Sequence, residues 1–270
     1  RLKKQWVHCR IGDVRDYKTF QKALKNIDAV FHLAASVGVG QSNYEIKKFN
    51  DSNTGGMGNL LDILVNTKTN VKKVITNSSM TGLGEGNYQC NKCGIVRPPL
   101  REEKQLSRKD WEMKCPNCKG EIKPVPTEEE ALEYPNSIYA ITKKAQQDML
   151  IFYGKTYNLP VVALRCFNVY GPRQSLSNPY TGVTAIFISR IKNDQPAPVY
   201  EDGLQTRDFI SVHDVVEALI LSLETQKADY QILNMGSGKP TSIKEIAQTI
   251  AKLLGKADKV LVSENFRKGD

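Results

Sequence analysis

No apolar run in this 270-residue sequence is long enough to cross a bilayer. The longest are short stretches such as Ala29 to Leu33, against the roughly 20 residues a spanning helix needs. The basic opening, Arg1 to Gln5, is followed by no apolar leader, so no signal peptide and no membrane partner are expected, and a cytoplasmic setting is. Histidine is scarce, with three in the chain. His8 and His32 sit in strand-like runs and are expected in the core or at strand ends. His213, in Ser211-Val-His-Asp214, is expected to be structural. Internal repeats and low-complexity tracts are missing too. At 40% hydrophobic and 25% charged residues, the remainder is ordinary globular composition, long enough for a large domain with a smaller lobe.

The net charge of +9 is unevenly placed. Residues 1–10 carry four bases and no acid, and residues 90–123 nine bases against five acids. The excess therefore sits in one end and one internal segment. Trp111 and Tyr88 are too few aromatics for a nucleic-acid surface there, so no nucleic-acid partner is expected.

The coarse pattern is strand and helix in alternation. Trp6 to Arg10 reads as a short strand and residues 16–27 as a helix with Phe20, Leu24 and Ile27 apolar. Asp28 to Ala35 reads as a buried strand, 53–68 as a helix, and Lys72 to Asn77 as another strand. A helix from about Ser137 to Tyr157 stops before Asn158-Leu159-Pro160, and Pro160 to Asn168 is again strand-like. Such alternation predicts an α/β fold with a doubly wound parallel sheet. The pattern loosens after residue 171, with a helix near 182–193 and a smaller α/β lobe. The expected division is 1–170 for the main domain, interrupted by an insertion at 87–126, with 171–270 mainly a second lobe.

A glycine-rich turn after the first strand, which holds the pyrophosphate in dinucleotide-binding sheets, is also lacking. Gly38-Val-Gly40 and Gly55-Gly56-Met57-Gly58 do not fit its spacing. The sequence thus reads as starting after that unit and stopping short at Arg267-Lys-Gly-Asp270.

Four of the six cysteines form two pairs, Cys90-x-x-Cys93-Gly and Cys115-Pro-x-Cys118, separated by 21 residues. This spacing, with its glycine and proline turns, is that of paired zinc knuckles. Four soft thiolates close a tetrahedron and leave no open position, so a structural zinc is expected rather than a catalytic one.

Tyr139-Ala-Ile-Thr-Lys143 places a phenol and an ammonium on one helix face. The cation is expected to lower the phenol's pKa so that it can take a hydroxyl proton. Chance alone supplies about one such pair in a chain with 11 tyrosines, and Tyr44-Glu-Ile-Lys-Lys48 is a second, expected to be solvated surface. Context separates them. Tyr139 follows a serine-bearing strand end, Asn77-Ser78-Ser79, and precedes a strand ending Phe167-Asn168.

The ordered series Gly12-Asp13-Val14-Arg15-Asp16, His32-Leu-Ala-Ala35, Asn53-x-x-Gly56, Ser78-Ser79, Tyr139-x-x-x-Lys143, Arg165-x-Phe167-Asn168-x-Tyr170-Gly-Pro172 and Arg207-Asp-Phe209 resembles the extended short-chain dehydrogenase/reductases. More narrowly it resembles their NAD-dependent nucleotide-sugar epimerase branch. The resemblance implies a Rossmann-like sheet, bound NAD and a nucleotide-diphosphate sugar as substrate. It assigns Ser79, Tyr139 and Lys143 to catalysis. Asp13, Val14, Leu33, Ala34, Ala35, Asn53, Tyr139, Lys143 and Phe167 would meet the cofactor; Ser79, Thr81, Asn168, Arg207 and Arg267 would meet the substrate. Residue by residue there are blander readings: Ala34 and Ala35 as core, Asp13 as a turn residue. Related dehydratases place Asp-Glu after the serine; Met80 and Thr81 stand there here, which disfavours dehydration.

The insertion, together with Ser36-Val-Gly-Val-Gly40, Pro124-Val-Pro-Thr127 and Ser177 to Val183, is similar to a subgroup of dTDP-L-rhamnose 4-epimerase-like enzymes. The implied reaction is inversion at C4 through a 4-keto sugar, of the dTDP-L-rhamnose to dTDP-6-deoxy-L-talose type. UDP-hexose or UDP-uronate 4-epimerisation is the alternative, and a non-catalytic dinucleotide sensor the non-enzymatic one. The family also implies a homodimer formed through the Tyr139 helix.

Overall fold

A computed structural model describes residues 7–175 and 182–266. Helix α1 (Tyr17–Ala23) is started by Asp16, whose carboxylate accepts the Thr19 amide at 3.2 Å. Strand β1 (Ala29–His32) is followed by two single-turn helices, α2 (Val39–Ser42) and α3 (Ile46–Phe49). A π-helical turn over Asn50–Gly55 continues into α4 (Gly56–Asn66), and β2 (Lys73–Ser79) comes next. The cysteine segment contributes β3 (Asn87–Cys90), β4 (Gly94–Val96), α5 (Glu103–Leu106) and β5 (Ile122–Val125). The long helix α6 (Ile138–Tyr157) leads to β6 (Val161–Cys166) and β7 (Asn168–Tyr170). Then come α7 (Val183–Lys192), β8 (Ala197–Val199), β9 (Thr206–Ser211), α8 (Val212–Glu224), β10 (Gln231–Met235), β11 (Pro240–Ser242), α9 (Ile243–Leu253) and β12 (Val260–Val262).

The main sheet has the order β1-β2-β6-β10 and is parallel throughout. Because successive strand residues face opposite sides, β2 and β6 feed two cores. Val74 and Val161 join Leu24, Met57, Leu60, Ile63 and Leu150 from α1, α4 and α6 on one face. Ile75, Val162 and Leu164 join Val215 and Leu219 from α8 on the other. Helices on both faces make the sheet doubly wound. The fourth strand, β10, comes from beyond residue 171, so the division at 170 does not follow the sheet. The smaller lobe holds a separate core in which Phe187 and Ile191 of α7 meet Ala247, Ile250 and Ala251 of α9 over β8. No helix of the described residues is long and apolar enough to cross a membrane.

Two readings of the amino-terminal part need correction. Residues 7–10 are exposed and enter no ladder; Trp6 lies outside the described residues. An extended run becomes a strand only with a hydrogen-bonding neighbour, and none among the described residues stands beside it. His8 is accordingly exposed rather than core. The run Asp28 to Ala35 is in the ladder only over Ala29–His32, with Phe31 39% and Leu33 50% exposed, because β1 is the edge strand of the sheet. His32 is buried at its end.

Candidate active site

The C-terminal ends of β2 and β6 lie side by side, with Ser79 opposite Cys166 in the register. Such strand ends are where ligands sit in open parallel sheets. Over them stands the first turn of α6, fixed by three caps. Ser137 accepts the Ala140 amide at 3.1 Å, Ser42 of α2 accepts the Tyr139 amide at 2.9 Å, and Asn43 accepts that of Ile138 at 3.4 Å. Satisfying the orphan amides of a helix start in this way sets its depth and rotation. The Tyr139 ring meets the buried Phe49 edge-on at 6.3 Å between centroids.

Ser79, Tyr139 and Lys143 converge here. The phenol of Tyr139 lies beside Ser79, whose hydroxyl accepts from the Thr81 hydroxyl at 3.0 Å and its amide at 3.3 Å. The Lys143 ammonium is buried and donates to the Asn77 carbonyl. Burial holds the Lys143 amine down, to about 8, partly countered by the Cys166 thiol. Burial pushes the Tyr139 phenol up, opposed by the neighbouring Ser79 hydroxyl. The expected lowering of the phenol by its neighbouring lysine is therefore not what this arrangement produces, since the ammonium is turned toward Asn77. The alternative pair behaves as expected: Tyr44 is 65% exposed and Lys48 pairs with Glu45 at the surface. Cys166 lies near enough to act on both the phenol and the ammonium, and burial pushes its thiol up to about 11.

The residues expected to line a cofactor surround the same sheet edge. Leu33 and Ala34 are exposed and Ala35 half-buried, so the reading of both alanines as core does not hold. Asp13 pairs with Arg15 at 2.6 Å, its carboxyl drawn down to about 2 by hydrogen bonds from Arg15. With Asp16, Asp51, Gly55 and Asn59 these two line a cleft of about 620 Å³. Val14 closes against Gly56, where a Cβ would come within 2.8 Å of its methyl. Asn53 is fully buried, with both ends of its amide engaged by Ser36 and Thr142, so it shapes the wall from behind. Phe167 is half-buried, its amide bound to the Met235 carbonyl. Asn77 Oδ1 is buried without a hydrogen-bond partner beside Lys143, an acceptor of the kind a hydroxyl-bearing ligand satisfies.

Next to the Ser79 end of β2, where the Asn168 amide reaches the Met80 sulfur at 3.7 Å, β7 and β9 pair in parallel, Asn168 opposite Phe209. The Asn168 amide donates to the Asp208 carbonyl at 3.1 Å. Arg207 is half-buried, donates to Thr206 O at 3.0 Å, and forms an ion pair with no acid among the described residues. A half-buried guanidinium without a carboxylate is prepared for an anion. Arg267 and residues 177–181 lie outside the described residues.

The cysteine segment folds as a three-stranded antiparallel unit, β4-β3-β5. The Sγ atoms of Cys90, Cys93, Cys115 and Cys118 all lie within 4.8 Å of one another, with Cys90 and Cys118 at 3.6 Å and all four free. Zn–S bonds of 2.3 Å in a tetrahedron put sulfurs about 3.8 Å apart. Backbone amides of Cys118 and Asn117 point at the Cys115 sulfur and hold its thiol down to about 6, while neighbouring thiols push Cys93 up to about 12. The donor set and its amide support fit a closed zinc site.

Several supporting contacts carried no sequence signal. Arg165 entered the sequence reading only as the first residue of its motif; it is 1% exposed and binds Glu133 at 2.6 Å, Asn234 at 3.1 Å and the Glu129 carbonyl at 3.3 Å, stitching the segment before α6 to the sheet. Ser42, Phe49 and Thr142 hold Tyr139 and its helix. These contacts join residues distant in sequence, which no local pattern announces.

Comparison with known proteins agrees with this geometry. The NAD dependent epimerase/dehydratase family matches residues 1–101 and 117–236, passing over part of the cysteine insertion. The chain is 34% identical over 266 residues to a dTDP-L-rhamnose 4-epimerase of Burkholderia thailandensis, covering 96% of the chain and 70% of that protein. It spans 62% to 67% of the length of three further curated relatives. Among solved structures, a UDP-N-acetylglucosamine 4-epimerase from Methanobrevibacter ruminantium in complex with UDP-N-acetylmuramic acid superposes with a TM-score of 0.76 at 32% identity, covering 96% of this chain and 70% of that one. A Thermus thermophilus UDP-glucose 4-epimerase in complex with NAD superposes with a TM-score of 0.74 at 28% identity, covering 96% and 72%.

Proposed function

The chain belongs to the NAD-dependent epimerase/dehydratase family, and on that footing we propose that it inverts C4 of a nucleotide-diphosphate sugar through a 4-keto intermediate. The observation that carries this reading is the placement of the Tyr139 phenol beside Ser79, with Lys143 one helical turn away at the same strand ends. NAD, when bound, would supply the acceptor and donor of the C4 hydride.

Tyr139 is the proton acceptor and donor for the C4 hydroxyl. Ser79 holds that oxygen and is itself held by Thr81. Lys143, the stretch Leu33 to Ala35, Phe167, Val14 and the cleft at Asp13 would hold the cofactor, with the orphaned Asn77 acceptor nearby. Arg207 and Asn168, on neighbouring strands, hold the diphosphate, so that the sugar turns over while its anchor stays; Arg267 is assigned the same anchor. Met80 and Thr81 offer no acid–base pair for eliminating water, which separates this reading from dehydration.

The dTDP-L-rhamnose 4-epimerase relative favours a dTDP-6-deoxysugar; the UDP-N-acetylglucosamine and UDP-glucose 4-epimerases among the similar structures favour a UDP-hexose. The insertion holds a structural zinc through its four cysteines. A homodimer forms through α6, which leaves Ile141 and Phe152 exposed at 49% and 72%, and free thiols throughout suit the cytoplasm. Incubating the full-length protein with dTDP-L-rhamnose, UDP-glucose, UDP-N-acetylglucosamine and UDP-glucuronate, and following C4 by NMR, tests the reading. Inversion of one is expected. Failure with all four, in protein carrying NAD, would overturn it.

A further inference from the structure

Arg101 leaves the insertion and reaches across 100 residues of sequence to Glu201 in the smaller lobe. The pair is bidentate, at 2.7 and 2.9 Å, with side chains 9% and 8% exposed, and Arg101 also donates to the Trp111 carbonyl at 2.8 Å. Glu201 sits at a left-handed position, φ 54°, with its amide on the Asn265 carbonyl at 2.8 Å. The turn it anchors runs directly into β9, whose second residue is Arg207. A buried ion pair is a poor source of stability, since an apolar pair of similar volume often does as well. What a bidentate pair supplies is a fixed direction.

Three further relationships bring the insertion toward the smaller lobe. The Tyr88 ring packs on the small core formed by Cys90, Val96, Cys115 and Ile122, while its phenol lies in the field of the cations Arg207 and Arg101 and of the carboxylates Glu85 and Glu112. Trp111 meets Phe266 at 6.3 Å, and Lys109 pairs with Glu264. A cleft of about 580 Å³ is bounded on one side by Arg97 to Leu100 of the insertion, and on the others by the loops that follow Ser79 and precede Tyr139.

We propose that the four-cysteine insertion is a wall of the nucleotide-sugar site, and that Arg101 is a positioning residue that sets Arg207 for the diphosphate through Glu201. This rests on the assignment of Arg207 to the diphosphate made above. Zinc, when bound, would act on substrate binding from a distance, by holding β3, which carries Tyr88, and the loop after β4, which carries Arg101.

The test compares full-length holoenzyme with Arg101→Lys, which keeps the charge and loses the planar fork, and with Glu201→Gln, which keeps the shape. Steady-state kinetics, titration calorimetry with UDP and dTDP, zinc content and melting temperature are measured on each. Both variants are expected to raise KM and weaken nucleotide binding about tenfold, with kcat within about twofold and zinc retained. Wild type stripped of zinc by a chelator is expected to lose nucleotide affinity likewise. Variants that melt earlier yet keep wild-type KM and nucleotide affinity would reduce Arg101 to a brace and overturn this inference alone. A wild type that turns over no nucleotide sugar and binds neither nucleotide would remove the site reading and this inference with it.

Discussion

Asn53 and Thr142, 89 residues apart in sequence, are joined by a 3.0 Å hydrogen bond from the Asn53 amide to the Thr142 hydroxyl. The same amide group holds Ser36 on both its N–H, at 2.7 Å, and its carbonyl, at 3.1 Å. Thr142 in turn donates to the Tyr139 carbonyl at 2.9 Å. One buried side chain thus ties the loop after β1 to the helix that carries the phenol. Asn53→Ala strands buried polar groups at both ends, and a loss of about 2–3 kcal/mol is expected. Urea unfolding measures it; a change below about 0.5 kcal/mol would mean that the clamp is not maintained in solution.

Tyr139→Phe removes the hydroxyl and leaves the ring on Phe49. A fall in kcat of about 10²–10⁴-fold is expected, the range for loss of a general acid–base group, with bound NAD unchanged by absorbance. Epimerisation retained at wild-type rate would take Tyr139 out of the chemistry.

Lys143 gives a stability signature with a defined sign. Its amine is held near 8 in the fold against 10.5 ordinarily, so the unfolded chain binds more protons between those values and stability rises with pH across that window. Below it, the fold carries the whole cost of a buried charge. In the cofactor-free protein Lys143→Met is expected to gain about 3 kcal/mol near pH 7 and about 1.5 kcal/mol near pH 9.5. Denaturant melts at the two pH values check it, and a pH-independent difference would contradict it.

Metal content tests the cysteine cluster directly. Wild type is expected to carry about one zinc per chain, and Cys115→Ala to lose it together with protection of residues 87–126 from protease. A metal-free wild type that resists protease equally would sink the zinc assignment.

Glu133 neutralises Arg165 where the guanidinium is almost wholly buried, and also accepts from Gln147 at 2.7 Å. Glu133→Ala leaves that charge uncompensated, at an expected cost of about 3–5 kcal/mol. Chemical denaturation supplies the number; a cost under about 1 kcal/mol would show that water reaches Arg165.

Helix α6 was legible almost to the residue, because its signals are local. Ser137 caps one end, and at the other Asn158 takes up the left-handed conformation, φ 54°, just before Leu159-Pro160. The cysteine cluster was legible for the same reason: its spacing is a property of short turns. β1 was misjudged because an apolar run reports composition, whereas exposure depends on which strands flank it. Arg165 with Glu133, and Arg101 with Glu201, carry no periodicity and no spacing rule. Their meaning arises only when chain segments 32 and 100 residues apart are brought together.

The insertion leaves and returns through a single neck. Asn87 opposes Val125 in the ladder, and its amide donates to the Thr127 hydroxyl at 3.0 Å. A detour whose entrance and exit touch can be excised or transplanted without pulling the parent sheet apart. Joining residue 86 to residue 127 would leave the parent strands in register but strip Glu201 of Arg101, its partner in the buried pair. Excision therefore needs a companion change at residue 201, and a graft of 87–126 needs an acid supplied there.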